Sequence, residues 1–190
     1  MKQGLRALLV YRGDPVENPR KALASELPIK DIEQVDIQNL EEKKDERYDI
    51  IAVFMCLQTV APKEIPEDLI RMHQMLNLKG ELYVTAPSFE WAAAQVETNS
   101  PHPFVHMMIC GTETNPHRSI LTLGWLRNLM SFAGFNIRLA TTEKYSVQVG
   151  PQQTETLFRD LVIGWKLEER DAAGALDSNS NISIVATGKN

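Results

Sequence analysis

The sequence has few cysteines, no long hydrophobic run and no excess of basic residues. Only two of its 190 residues are cysteines, both in apolar stretches, so we expect no disulfide framework and a cytoplasmic protein. No apolar run approaches the roughly 18 residues of a membrane-spanning helix, and the N-terminus lacks the pattern of a signal peptide. With 25 acidic and 20 basic residues, the net charge is −5. Nucleic acid and anionic membrane surfaces are therefore not expected partners.

Several catalytic motifs are also missing. The chain contains no P-loop, no G-x-S-x-G nucleophile elbow, no H-E-x-x-H zinc motif and no G-x-G-x-x-G dinucleotide fingerprint,. Apolar residues make up 43% of the chain, which is enough for a buried core. We see no internal repeat, and we predict a single domain over residues 1–190.

Short apolar runs alternate with segments of helical periodicity. This alternation predicts an α/β fold in which buried strands form a mostly parallel sheet. The predicted strands are residues 5–11, 35–37, 48–57, 82–86, 135–140 and 182–187, and the predicted helices begin near Pro19, Pro66, Ser88, Thr122 and Thr154. Residues 99–119, with three prolines and three histidines, are predicted to be irregular, and residues 171–181 to form a mobile loop.

Three motifs between residues 48 and 145 resemble class I S-adenosylmethionine-dependent methyltransferases. An acidic, apolar strand at 48–51 (YDII) precedes a helix and the turn at 76–82 (LNLKGEL), and the next strand ends at 86–88 (APS). The segment HRSILT at 117–122 then leads into a helix that ends at 133–135 (AGF). This order is similar to the methyltransferase type 11 pattern. The resemblance implies a three-layer Rossmann-like methyltransferase sandwich with an abbreviated N-terminal half, because residues 10–49 have room for one strand–helix unit.

The glycine-rich loop of that family is degenerate here. After the first strand the chain has YRGDP at 11–15, with one glycine where the family has two or three. The resemblance implies that Arg12, Gly13 and Asp14 lie beside S-adenosylmethionine, if cofactor binding is retained. Asp36 is the acidic candidate for the ribose hydroxyls, and the alternative is an aspartate that caps a turn at a strand end.

The strand following residue 48 supplies further candidates for the cofactor site. Ligands of open α/β sheets bind beyond the carboxyl ends of the strands. Phe54 and Met55 would offer apolar contact to an adenine, and Gln58 a polar contact. The alternative for Phe54 is a core residue at the strand end.

The histidines of residues 99–119 carry the catalytic hypothesis. The resemblance places this loop over the substrate pocket, where His106 or His117 could act as general base. A zinc site formed by His102, His106, Cys110 and His117 is an alternative, but the spacing matches no compact zinc signature. Ordinary packing or surface histidines are the third interpretation. We predict no metal.

Two functions remain open from the sequence. The first is a methyltransferase that transfers the methyl group of S-adenosylmethionine to a small molecule. The second is an inactive methyltransferase-like domain that binds or assembles with a protein partner, and the glycine-poor loop favours it. An oligomer is compatible with both.

Overall fold

The protein is described from a computed structural model, which defines residues 4–22, 28–98, 104–150 and 153–167. Within these residues six strands form one sheet: β1 (Leu5–Tyr11), β2 (Ile29–Asp36), β3 (Tyr48–Phe54), β4 (Leu76–Pro87), β5 (Phe135–Gly150) and β6 (Gln153–Lys166). The α-helices of this described part of the chain are α1 (Pro19–Ala22), α2 (Ile65–Met75), α3 (Phe89–Val96), α4 (Val105–Cys110) and α5 (Leu123–Phe132). Two 3₁₀ helices cover Ile37–Lys43 and Leu57–Thr59.

The strand order in the sheet is β2-β1-β3-β4-β6-β5. Strands β1 to β4 are parallel to one another, whereas β6 is antiparallel to both β4 and β5. Between β1 and β3 the described chain has one strand, β2, together with α1 and a 3₁₀ helix. The sheet is thus mostly parallel, and its N-terminal half is abbreviated as predicted.

Helices cover the sheet on both faces and complete a three-layer architecture. In β1, Leu8 and Val10 belong to the core cluster that contains α2 and α5. The alternate residues Ala7 and Leu9 face the opposite side. A separate cluster joins α3 and α4 to Leu157 of β6. Because successive strand side chains point to opposite faces, a run of apolar residues identifies a strand buried on both sides.

The capping prediction for α5 is confirmed. Thr122 Oγ1 accepts a hydrogen bond from the Trp125 backbone N–H at 3.2 Å, which satisfies one of the free donors at the helix start. Gly134 follows the helix with φ +95°, a conformation that glycine adopts without steric cost.

One face of α2 packs into the core. The buried residues are Ile65, Leu69, Met72 and Met75, while Ile70 is 38% exposed. Leu76 already belongs to β4, which starts six residues before the predicted strand. The helix ends there because the Leu76 backbone is extended, with φ −79° and ψ 140°.

The prediction of a helix from Thr154 is wrong, because this segment is strand β6. Leu157, Phe158, Leu161, Val162 and Trp165 have helical spacing, but the segment inserts between β4 and β5 and forms ladders with both. Its content of threonine, aromatic and β-branched residues suits a strand. Hydrogen bonding to two distant strands therefore determines the structure of this segment, although its apolar residues have the spacing of a helix.

Two other predictions need correction. Residues 105–110, predicted to be irregular, form α4, and Cys110 is exposed whereas Cys56 is buried. The predicted strand at 182–187 and the predicted loop at 171–181 lie outside the described residues. Among the helices that the structure describes, none is long and apolar enough to cross a membrane.

Candidate functional site

The candidate site lies where the chain order of the parallel strands reverses. Strand β1 has β2 on one side and β3 on the other, and ligands of open α/β sheets bind beyond the carboxyl ends of strands at such a point. There, Tyr11 of β1 is paired with Asp36 of β2. The loop after β1 and the carboxylate that ends β2 are therefore neighbours.

The Asp36 carboxylate is held by three donors from its own chain. Oδ1 accepts hydrogen bonds from the Gln38 backbone N–H at 2.9 Å and from Arg12 Nη1 at 3.2 Å. Oδ2 accepts the Gly13 backbone N–H at 2.9 Å. Burial by itself raises the pKa of Asp36, but these donors outweigh it and hold the pKa below its ordinary value,. Asp36 thus caps the 3₁₀ helix that follows it and also fixes the loop after β1.

The Arg12 side chain stands between two cavities. We call the first the acidic cavity: it has a volume of about 320 Å³, and its lining includes Ile37, Gln38, Glu64, Glu67 and Asp68. We call the second the methionine cavity: it has a volume of about 200 Å³, and its lining includes Met55, Gln58, Met107, Met108, His117 and Tyr145. Arg12, Thr59 and Asn115 line both cavities. The two cavities therefore adjoin each other at these three residues.

The acidic cavity carries charges of both signs. Burial raises the pKa of Asp68 to about 6, even though Arg71 Nη1 lies 2.7 Å from its Oδ1. Arg71 also contacts Glu41 at 2.7 Å. The cavity therefore suits a ligand with polar and charged groups rather than a hydrocarbon.

Met55 enters the methionine cavity from a strained backbone position. Its φ is +49°, which is uncommon for a residue other than glycine, asparagine or aspartate. Its backbone N–H is shared between the carbonyl oxygen of Thr85 at 3.1 Å and Thr85 Oγ1 at 3.2 Å. Such positions cluster at binding sites because surrounding contacts must hold them.

Gln58 links the strand end to the histidine segment. It is 4% exposed, and its Nε2 donates to the Met55 carbonyl oxygen at 2.7 Å. Its own backbone carbonyl accepts the N–H groups of Arg118 and Ser119 at 2.8 and 3.0 Å. Its side-chain Oε1 is buried and has no partner among the described residues.

His117 is held in one orientation by the turn before it. Gly111 has φ +78°, and a Cβ there would lie 2.3 Å from the Asn115 carbonyl oxygen and 2.8 Å from His117 Cδ2. Only glycine fits this position. The His117 N–H donates to the Cys110 carbonyl at 2.9 Å. The turn at 111–116 thus places the imidazole against the methionine cavity.

The protonation state of His117 follows from its neighbours. Nδ1 lies 3.3 Å from the Ile109 carbonyl oxygen, which can only accept, so Nδ1 carries the proton and Nε2 presents a lone pair,. Burial lowers the pKa of His117,. The imidazole is therefore neutral at pH 7, and its Nε2 can accept a proton.

The structure brings together some of the predicted site residues and separates others. Arg12, Met55, Gln58 and His117 line the methionine cavity, and Gly13 and Asp36 adjoin it through Arg12. Asp14 and His106 are exposed and belong to the lining of neither cavity. Phe54 packs against the core cluster of Ala7 and Leu9, in agreement with its alternative interpretation as a core residue.

Sequence reasoning did not identify Met107, Met108, Asn115 and Tyr145. The first two lie on α4, in a segment predicted to be irregular, and Tyr145 lies on the part of β5 beyond the predicted strand. Gly111 was the available signal, since a glycine before a proline-containing turn indicates an unusual backbone. Among the described residues, no group of three histidine, cysteine or acidic side chains could hold a metal ion. His102 lies outside the described residues.

Several solved structures that are similar in fold to this chain are described as methyltransferases. The chain is similar to a Bacillus halodurans protein solved as a candidate methyltransferase, with 14% identity, a TM-score of 0.56 and coverage of 88% of this chain and 94% of that one. It is also similar to an S-adenosylmethionine-dependent methyltransferase from Methanosarcina mazei, with 14% identity, a TM-score of 0.54 and coverage of 89% of this chain and 95% of that one. A third similar structure is an S-adenosylmethionine-dependent methyltransferase from Archaeoglobus fulgidus, with 12% identity, a TM-score of 0.52 and coverage of 87% of each chain. No family model matches the chain, and no curated protein matches it. The chain therefore has the Rossmann-like methyltransferase fold.

Proposed function

We propose that this protein is an S-adenosylmethionine-dependent methyltransferase that acts on a small molecule in the cytoplasm. The observation that carries the proposal is the pair of cavities that meet at Arg12, one close to Asp36 and the other against His117. Two adjoining cavities are what a transfer reaction between two bound molecules requires, because its rate depends on holding donor and acceptor in line.

The residues around the acidic cavity fit the cofactor once Arg12 leaves Asp36. Each carboxylate oxygen has about two acceptor positions. Oδ1 uses both of them, for Gln38 and Arg12, and Oδ2 uses one, for Gly13. Departure of Arg12 frees an acceptor position on the carboxylate for a hydroxyl group of the ribose. Ile37 and Gln38 then offer an apolar and a polar contact to the adenine.

His117 would serve the acceptor side. When bound, S-adenosylmethionine supplies an electrophilic methyl group. The lone pair on His117 Nε2 would take the proton of the attacking hydroxyl or amine, and its neutral state at pH 7 suits that role,. The exposed position of His106, away from both cavities, favours His117 of the two candidates.

Calorimetric titration with S-adenosylhomocysteine tests the proposal. We expect a Kd of about 100 μM or tighter, which is on the order of −5.5 kcal/mol. Arg12→Ala should bind S-adenosylhomocysteine two- to fivefold more tightly, because binding no longer has to break the Arg12–Asp36 ion pair. The gain is about the free energy of a partly exposed ion pair. Asp36→Ala should bind at least tenfold more weakly, since the ribose contact is lost. Absence of binding to folded wild-type protein and to Arg12→Ala would contradict the proposal.

A second candidate function is a cofactor-free binding domain that recognises a protein partner. The Arg12–Asp36 ion pair favours it, because the chain's own guanidinium and amide occupy the carboxylate that a ribose would need. The same titration separates the two functions. Absence of S-adenosylhomocysteine binding to both the wild-type protein and Arg12→Ala would support the binding-domain function.

A further inference from the structure

The methionine cavity has the size and lining of a pocket for one aromatic ring. Its volume is about 200 Å³, and a cavity of about 150 Å³ with an aliphatic lining holds benzene. Met55, Met107 and Met108 contribute thioethers, which make favourable contacts with aromatic rings and adapt to their outline. Pro87 and Tyr145 add further apolar surface.

The polar groups of this cavity offer no unpaired charge to a ligand. None of its described lining residues is a carboxylate, and its one cation, Arg12, is paired with Asp36. Burial raises the pKa of Tyr145, so the phenol ring in the wall stays neutral. A charged ligand would lose its hydration without compensation. The cavity therefore favours uncharged molecules as long as Arg12 stays paired with Asp36.

The lining includes two hydrogen-bond acceptors for such a ligand, the unpartnered Oε1 of Gln58 and the imidazole of His117. Nδ1 of His117 faces the Ile109 carbonyl, so the free nitrogen, Nε2, accepts and does not donate,. A ligand with a hydroxyl donor matches it, whereas a ligand with only acceptors does not.

We propose that the methionine cavity binds an uncharged, single-ring phenol whose hydroxyl group donates a hydrogen bond to Nε2 of His117. This inference rests on the proposed function for its role, since the phenol would be the methyl acceptor. In the transfer, the bond from the phenol oxygen to the methyl carbon forms as the sulfur–carbon bond breaks. The phenolic proton passes to His117 Nε2, and S-adenosylhomocysteine leaves.

Methionine-methyl NMR provides a binding test that does not need activity. The full chain carries labelled methionine methyl groups, assigned by single Met→Leu variants, and is titrated with 4-methylphenol. We expect shifts at Met55, Met107 and Met108, with none at Met72 and Met130, which are fully buried in the main core and do not line the cavity. Shifts confined to the core methionines, or none at all, would overturn the proposal.

Ligand and variant comparisons test the hydrogen bond. Toluene lacks the hydroxyl donor. The ratio of the affinity for 4-methylphenol to the affinity for toluene should therefore be about three- to tenfold larger in the wild-type protein than in His117→Phe. His106→Phe is the matched exchange on the exposed side of α4, and it should keep the wild-type preference. A preference lost in His106→Phe but kept in His117→Phe would refute the assignment. So would tighter binding of benzoate, which would make Arg12 an anion site.

Titration in the presence and absence of S-adenosylhomocysteine separates this inference from the proposed function. Binding of 4-methylphenol in the cavity without any binding of S-adenosylhomocysteine supports the ligand class and contradicts the methyltransferase proposal. Binding of S-adenosylhomocysteine without 4-methylphenol contradicts the ligand class alone. Production of 4-methoxytoluene from 4-methylphenol and S-adenosylmethionine, lost in His117→Phe, would support both.

Discussion

Replacing Asp36 by asparagine tests how the loop after β1 is held. The carboxylate accepts three hydrogen bonds, from Gln38, Gly13 and Arg12. Asparagine keeps one oxygen and turns the other into a donor. If the new amide nitrogen replaces Oδ2, it opposes the Gly13 N–H. If it replaces Oδ1, it opposes both Gln38 and Arg12. Either orientation leaves at least one donor without an acceptor.

The expected loss is about 1.5 kcal/mol in the free energy of unfolding. Hydrogen bonds to a charged group contribute roughly 1.5–3 kcal/mol. We take the lower end, because the side chain of Asp36 is 20% exposed and water can partly replace a lost partner. The matched control, Arg12→Gln, removes only the ion pair and should cost about 0–1 kcal/mol.

The effect should depend on pH with a definite sign. The folded state lowers the pKa of Asp36, so the stabilisation is complete above the unfolded-state pKa of about 3.9 and is lost as the pH falls through the folded-state pKa. Urea unfolding of wild type and Asp36→Asn at pH 7, 5 and 3 measures it. The difference should be equal at pH 7 and 5 and smaller at pH 3. An asparagine variant as stable as wild type at pH 7, or a difference independent of pH, would refute this account.

Two further predictions concern the scaffold around the site. Gly134→Ala should destabilise the protein by about 1–2 kcal/mol, because its φ is +95° and the new Cβ would lie 3.4 Å from the His73 ring. Gly124→Ala should stabilise the protein by about 0.5–1 kcal/mol, because nothing lies within 4 Å of the new Cβ. Equal shifts of the melting temperature in the two variants would contradict the argument. Asp160→Asn should stabilise the protein by roughly 1 kcal/mol at pH 8 and have little effect at pH 4. Burial raises the pKa of Asp160. The contribution of Asp160 to the free energy of unfolding is therefore present at low pH and is lost as the pH rises through the folded-state pKa. Urea midpoints at both pH values measure this, and a variant less stable than wild type at pH 8 would show that the buried carboxylate is fully compensated.

The sequence was sufficient where the structure is decided locally. The apolar run at 5–11 is β1 with the predicted bounds, because a strand buried on both faces needs apolar side chains in succession. Thr122 and Gly134 delimit α5 because a hydroxyl cap and a positive φ are properties of single residues. The same reasoning identified the α/β class, Asp36 at the end of β2, and the neighbourhood of Arg12 and Gly13.

The tertiary structure decided what depends on distant partners. Residues 153–166 form a strand because β4 and β5 offer hydrogen-bond ladders on both of its sides, and no local periodicity contains that information. The Arg12–Asp36 pair joins residues 24 positions apart, and the methionine cavity combines the segment after β3, the end of β4, α4, β5 and the turn before His117. Local order follows from neighbouring residues, whereas a binding site needs side chains from segments that only folding brings together.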